Sequence, residues 1–366
     1  MSHRCLASVG VIAVVTAVVL PASVSRAPGY RLQASAQVER ANPEARSPKP
    51  EVRKAWTPPR TPWGDPDVSG VFTNKDEQGI PFERPAELAG RELLSDAEFA
   101  DRAARAQKQL ETDNADFVQE TADISNAGAV GSATSPPPHW LDRGRPTKRT
   151  SLIVDPVDGR LPPQAPGAAE RAAARAAARA QARAGHGPAD SWEDRSLYDR
   201  CITRGLPGSM MPAIYCNSYQ IVQGPGYVAI RYEMIHETRV IPLDGRSHVS
   251  PTLSSYMGDA RGHWEGNTLV VETTNFKDET AYRGANAPTL RLIEHFKAVA
   301  PDKVEWSVTV DDPATWVRPW TFAMNLTKDA SQGVLEYACH EGNYAMKNIL
   351  TGARADDKTA EAAAKK

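Results

Sequence analysis

The chain has 366 residues and is almost balanced in charge, with 43 Lys and Arg against 45 Asp and Glu. The formal net charge of -2 gives no basic excess, so nucleic acid and anionic membranes are disfavoured as partners. With 29 prolines and long Pro-rich and Ala/Arg-rich tracts, the sequence leaves room for one ordinary domain with long loops.

The N-terminus has the pattern of a secretory signal peptide. A short basic start precedes an apolar stretch, residues 6–20, that is too short for a membrane span. Small residues at 34–36, or alternatively at 23–25, suit cleavage. We expect residues 1–36 to be a signal peptide and the mature protein to be periplasmic or secreted, without a membrane span.

The segments that follow are irregular. Residues 37–66 are Pro-rich and predict an extended segment. Residues 67–200 predict a first short strand at 67–73, then a peripheral helix, loops and an Ala/Arg-rich helix. The peripheral helix begins with a capping box formed by Ser95 and Glu98.

The Ala/Arg-rich helix is predicted over residues 167–183, because its composition strongly favours helix. Four arginines recur every four residues on one face: Arg171, Arg175, Arg179 and Arg183. A helix without an apolar face is usually a solvated spacer. The alternative is that this basic face contacts an anionic envelope surface or a polysaccharide.

Four motifs carry a resemblance to known proteins: GVFTN at residues 70–74, PFERPAEL at 81–88, RTSLIVDP at 149–156 and YACHEGNY at 337–344. They are similar to motifs of a family of exported bacterial proteins to which no activity is assigned. The resemblance covers most of the mature chain and implies export, but no reaction. The Gly-x-aromatic start at 70–72 also resembles a lipocalin, with Phe72 where a lipocalin would carry Trp.

From Tyr219 onward, apolar residues recur at every second position, as in β-strands. Alternating runs are separated by short turns rich in Gly, Asn, Pro and Asp, such as 224–226 and 300–303. The expected fold is mainly β, an antiparallel meander that forms a lipocalin-like barrel or a sandwich, with peripheral helices and long loops. The barrel-like domain is expected at 201–353, followed by a polar tail at 354–366.

Successive residues of a strand face opposite sides, so the apolar parity marks the interior. On this rule Trp306, Trp320 and Phe322 face inward, and Arg318 shares the parity of Trp320. Tyr232 faces inward from an earlier strand. These five side chains are the predicted ligand-binding residues.

Two ionisable residues are expected on the same inner face. Glu294 lies between Leu292 and Phe296, and His236 would extend the inner face of the strand before it. Because a buried unpaired carboxylate is costly, Glu294 is expected to pair with Arg318 or His236, or to have a raised pKa. His236 and Glu294 are therefore the predicted catalytic residues. A structural ion pair and a hydrogen-bonded core histidine remain the alternatives.

Three cysteines follow the signal peptide, which in an oxidising compartment favours one disulfide and one free thiol. Cys201 can pair with Cys216 or with Cys339. The longer loop gains more on the chain-entropy model, so the pairing of Cys201 with Cys339 is preferred.

No metal and no cofactor is expected. His236, His248 and His263 lack the short ligand spacing of zinc sites, and no phosphate loop or dinucleotide motif is present. Two functions stay open. The first is an exported enzyme that uses metal-independent acid/base chemistry, of isomerase, lyase or hydrolase type, on a small apolar or aromatic molecule. The second is a lipocalin-like carrier or binding protein for an apolar ligand.

Overall fold

The computed structural model describes residues 56–124, 141–183, 185, 187, 189–213, 215, 218–329 and 333–365. The predicted signal peptide, most of the Pro-rich segment and Cys216 lie outside the described residues. From Thr57 onward, the described residues belong to one compact unit.

Ten strands form one antiparallel sheet, which confirms the mainly β prediction. They are β1 (Gly70–Thr73), β2 (Ile153–Asp155), β3 (Ser218–Gly224), β4 (Tyr227–Tyr232), β5 (Thr238–Pro242), β6 (Asp259–Glu265), β7 (Thr268–Thr274), β8 (Arg291–Ala300), β9 (Lys303–Asp311) and β10 (Trp320–Lys328). The strand order is β5-β4-β3-β1-β10-β9-β8-β7-β6, and β2 pairs with β10 outside this path. Two meanders, β3–β5 and β6–β10, are thus joined through β1.

The sheet is not closed into a barrel. Within the described residues, no ladder hydrogen bonds join its two outer strands, β5 and β6. These strands nevertheless approach each other through side chains. A Cβ on Gly262 of β6 would lie 2.9 Å from Ile241 Cγ2 and 2.7 Å from Leu243 Cδ2. Gly262 thus packs closely against side chains of β5 and the residue after it, and the curled sheet brings its two outer strands into contact.

One face of the curled sheet forms the hydrophobic core, and the predicted parity is confirmed on β9 and β10. On β9 every second residue from Val304 to Val310 is buried, including Trp306 at 0% exposure. On β10 the buried parity includes Trp320 and Phe322, also at 0%. Burial of such aromatic side chains supplies much of the driving force for folding.

No helix in the described residues is long and apolar enough to cross a membrane. Helix α1 (Asp96–Ile124) begins at the predicted capping box, in which the Ser95 amide donates to Glu98 Oε2 and the Glu98 amide to Ser95 Oγ. Helix α3 (Tyr344–Ala364) is capped by Asn343 and has no fully buried residue. It continues through the Ala-rich stretch for which the sequence predicts a polar tail, because alanine strongly favours helix.

The Ala/Arg-rich helix, α2 (Ala168–Ala182), contacts the rest of the domain through its arginines. Arg175 Nη1 donates to the carbonyl of Ala285 at 3.0 Å and Nη2 to Asn286 Oδ1 at 2.7 Å. Arg175 and Arg179 both pair with Asp278. The expectation of a solvated spacer is therefore wrong. A helix without an apolar face can still attach through charge-assisted hydrogen bonds, which hydrophobic periodicity does not reveal.

Candidate functional site

An ion pair lies inside the curled sheet, between strands that are not neighbours. Arg239 of β5 donates from Nη1 to Glu294 Oε2 (2.5 Å) and from Nη2 to Oε1 (3.0 Å). Trp306 Nε1 donates to the same Oε1 at 3.1 Å. Burial by itself would lower the pKa of Arg239, but the charge of Glu294 outweighs it and the pKa is raised. Both oxygens of the carboxylate are thus occupied.

Strand parity places Glu294 correctly but does not identify its cation. Glu294 is 0% exposed, between two buried neighbours on β8, as expected. The predicted partners are Arg318 or His236, whereas the structure supplies Arg239. The sequence signal exists, because Arg239 and Ile241 share the buried parity of β5. It is easily missed in a strand of five residues.

Tyr232 lies inside the sheet as predicted, at 0% exposure beside the Arg239 guanidinium. Burial raises the pKa of its hydroxyl, so the hydroxyl stays protonated. Among the described residues, neither the Tyr232 hydroxyl nor Arg239 Nε has a hydrogen-bond partner of normal geometry. Buried polar atoms without a partner of normal geometry are exceptions in native proteins, and here the two belong to side chains that lie beside each other.

His236 does not reach the interior, contrary to the prediction. It is exposed, and its Nδ1 lies 3.0 Å from the carbonyl oxygen of Tyr337. The alternation of β4 ends before it, because Ile235 (φ 66) and His236 (φ 50) adopt left-handed backbone conformations. A β-branched residue is rarely found in this conformation, so the turn could not be anticipated from the hydrophobic pattern.

Arg318 also lies outside the interior, contrary to its predicted parity. Its side chain is 48% exposed, and Nη2 lies 2.5 Å from Asp155 Oδ1. The strand β10 begins only at Trp320, so the alternation does not extend back to Arg318. Pro319 separates the two, and a proline typically marks the edge of a strand.

Three of the predicted ligand-binding aromatics, Trp306, Trp320 and Phe322, form one continuous group in the interior. Trp306 contacts Phe322 edge to face, with centroids 5.7 Å apart, and Trp320 lies 6.1 Å from Phe322. Two half-buried rings from loops rest on this group, Phe82 at 5.8 Å and Tyr282 at 6.3 Å from Trp320. We call Phe82 and Tyr282 the aromatic cap. The sequence gives no periodic signal for it, because both residues lie in loops.

Trp320, which both rings of the aromatic cap contact, carries an unpaired polar atom. Trp320 is 0% exposed, and within the described residues its Nε1 has no hydrogen-bond partner. A buried indole N–H normally finds an acceptor, since leaving it unpaired costs roughly 1–3 kcal/mol. The aromatic group therefore includes one hydrogen-bond donor without a partner in the described residues.

The structure joins Cys201 and Cys339 in a disulfide with a Cα–Cα distance of 5.8 Å, the pairing preferred from the sequence. Cys201 has φ 57, another left-handed conformation. The bridge lies at the same corner as His236, because Tyr337 contacts His236 two residues before Cys339. It links the segment before α3 to the loop that precedes β3.

The predicted catalytic residues, Glu294 and His236, lie in different surroundings. In the described ranges, no three His, Cys, Asp or Glu side chains are grouped so as to hold a metal ion. Glu294 is occupied by Arg239 and Trp306, and His236 lies on the surface. The two residues predicted as catalytic are thus not brought together, and their catalytic role stays a prediction.

Neither a family model nor a curated protein sequence matches the chain. A search of solved structures found a crystal structure of a secretary abundant heat soluble (SAHS) protein from Ramazzottius varieornatus. The identity is 12%, over 37% of this chain and 87% of that chain, and the TM-score is 0.23. At this score the similarity supports no functional argument, and the geometry of the chain itself has to carry one.

Proposed function

We propose that the protein binds a small, largely aromatic molecule under the aromatic cap. The observation that carries this proposal is the contact of two half-buried rings, Phe82 and Tyr282, with Trp320, whose Nε1 is buried and unpaired. Ligand sites are typically apolar and aromatic, with a few polar groups that fix orientation. The aromatic cap and the indole N–H meet this description.

The two cap rings are suited to move aside and admit a ligand. Phe82 and Tyr282 come from loops rather than from the sheet, and both are only half-buried. The cap rings contact Phe322 directly, with centroids 5.7 and 6.2 Å apart, so a planar ligand stacks on Phe322 only when the cap rings move outward. Opening would then require movement of loops alone, while the sheet stays intact.

The interior ion pair supports binding rather than catalysis. The Glu294 carboxylate accepts three hydrogen bonds from Arg239 and Trp306, so both of its oxygens already have partners within the protein. Trp306 also contacts Phe322, so the ion pair fixes the inner end of the aromatic group. We therefore favour a binding protein over an acid/base enzyme.

We also propose that the protein acts outside the cytoplasm. The disulfide between Cys201 and Cys339 is compatible with an oxidising compartment, where such bonds persist. The apolar N-terminal stretch at residues 6–20 supports the same view. Treating the purified protein with a mild reductant and measuring its stability tests whether the bond is needed.

The binding proposal is tested with purified protein by titrating a naphthalene derivative and recording tryptophan fluorescence. The ring centroids of Trp320 and Trp316 are 5.4 Å apart next to the cap, so a stacked ligand should quench the fluorescence of both. Tyr282→Ala should weaken binding about tenfold, in line with the roughly 1–3 kcal/mol that aromatic stacking contributes.

Tyr344→Ala is the matched control, because this tyrosine is 70% exposed at the start of α3. It should leave the binding curve unchanged. Equal weakening in both variants would indicate non-specific adsorption. No saturable quenching in the unmodified protein by naphthalene derivatives, charged or neutral, would refute the binding function itself.

A further inference from the structure

Arg283 lies on the aromatic cap and differs from the other arginines around it. Its guanidinium carbon is 3.7 Å from the centroid of the Phe82 ring and 5.8 Å from that of Tyr282. Arg175 and Arg179, on the neighbouring helix, both pair with Asp278. Arg283 forms no ion pair with any residue in the described part of the chain. In the described residues, a positive charge without an ion-pair partner thus lies over the Phe82 ring of the cap.

The backbone holds Arg283 in place against its own preference. Its φ is 51, in the left-handed region that non-glycine residues rarely adopt. The loop around it is fixed from two sides, because Arg175 binds the Ala285 carbonyl and the Asn286 amide donates to Asp312 Oδ2 at 2.6 Å. Such strain persists only when surrounding contacts impose it, and it is found at ligand clamps.

Two hydrogen-bond donors are therefore associated with one aromatic group. The guanidinium of Arg283 covers Phe82, and Phe82 in turn contacts Trp320, whose Nε1 is buried and unpaired. A guanidinium can stack on a ring while its N–H groups bind a carboxylate in bidentate fashion. The ligand that fits both features has a planar aromatic body and a negatively charged, oxygen-rich group.

We propose that the aromatic cap selects aromatic carboxylates, with Arg283 as the residue that recognises the carboxylate. The ring of the ligand stacks under Phe82 and Tyr282, and its carboxylate accepts from the Arg283 guanidinium. This inference rests on the proposed binding function and adds the chemical class of the ligand. A neutral aromatic of the same size would have the stacking but lack the charge-assisted hydrogen bonds.

The experiment compares naphthoate with naphthamide, which has the same ring and no charge, by isothermal titration calorimetry on the full mature chain. Naphthoate should bind the unmodified protein about tenfold more tightly, as expected for hydrogen bonds to a charged group. Arg283→Gln should weaken naphthoate to the level of naphthamide and leave naphthamide unchanged. Arg283→Lys should recover part of the difference, since it keeps the charge without the bidentate geometry.

Arg246→Gln provides the control for net charge, because Arg246 is an exposed arginine on a different loop, paired with Asp244. It should not change the preference for naphthoate. Equal affinity for the two probes, with no effect of Arg283→Gln, would overturn the carboxylate preference and leave the binding function in place. Saturable binding of neither probe would overturn both. Equal loss in the Arg246 and Arg283 variants would show a general charge effect and contradict recognition by Arg283.

Discussion

Arg239 and Arg175 make similar hydrogen bonds in opposite surroundings. Arg239 and its partner Glu294 have side chains that are 4% and 1% exposed, inside the curled sheet. Arg175 and its partner Asp278 are 26% and 45% exposed, on the surface. Water can replace a lost partner at the second site but not at the first.

The difference shows what each arginine contributes to the fold. A buried charge depends entirely on its partner, because solvation inside the protein cannot compensate for the loss. Removing the partner of a surface charge costs little stability, because water solvates the charge. The main contribution of such an arginine is to hold a loop in position. Arg175 holds the loop that carries Tyr282 and Arg283, whereas Arg239 joins β5 to β8 across the interior.

The largest expected effect is at the interior pair. Glu294→Gln leaves the charge of Arg239 buried and unpaired, so the free energy of unfolding should fall by roughly 3–5 kcal/mol. Urea denaturation followed by tryptophan fluorescence measures this. Arg318→Gln, which removes one partner of an exposed pair with Asp155, should cost less than about 1 kcal/mol.

A double variant separates the pair from its surroundings. Replacing Arg239 with Met and Glu294 with Leu should recover much of the loss, because an apolar pair of similar volume fits this interior. If Glu294→Gln is instead neutral or stabilising, the structural interpretation of the pair is wrong. Glu294 would then have to be regarded as a functional group that reduces stability.

Strand alternation accounts for what could be predicted of this interior. Alternation predicts the inward position of Glu294, Trp306 and Phe322, because each lies in an extended strand of nine or ten residues. Alternation carries this information only while the backbone stays extended. It fails for His236, because two left-handed residues end the strand before it.

The aromatic cap could not be predicted for a different reason. Phe82 and Tyr282 lie 200 residues apart in loops, and only the folded chain brings both onto Trp320. No local pattern reports such a contact. No local pattern predicts the attachment of α2 either. Arg175 and the Ala285 carbonyl lie in different segments, and only the tertiary structure brings them together.

A smaller effect on stability is expected at the exposed pair of Arg175 and Asp278. Arg175→Ala removes hydrogen bonds to Asp278, Ala285 and Asn286, and should lower the free energy of unfolding by about 1 kcal/mol. It should also weaken ligand binding, since the loop with Tyr282 loses its support. Arg183→Ala, at the exposed end of α2, is the control and should change neither quantity. A loss as large as that of Glu294→Gln would contradict the distinction between the two sites.

The smallest effect concerns Glu237, a carboxylate of intermediate burial next to His236. Burial raises its pKa, and the hydrogen bond from Thr203 Oγ1 to Oε2 at 2.6 Å opposes this only in part. The folded state therefore prefers the protonated form. The resulting stability is present below the ordinary pKa of a glutamate and is lost as the pH rises through the raised value.

Glu237→Gln keeps an acceptor for the Thr203 hydroxyl but removes the charge. The variant should therefore be at least as stable as the unmodified protein at neutral pH, with a flatter dependence of stability on pH above the ordinary glutamate pKa. Urea denaturation at a series of pH values measures the slope, and Glu361→Gln, at an exposed position of α3, serves as the control. A steeper slope in the Glu237 variant would mean that the carboxylate is stabilised by a cation in the folded state. In that case Glu237, although only partly buried, would resemble the paired Glu294 more than the solvated Asp278.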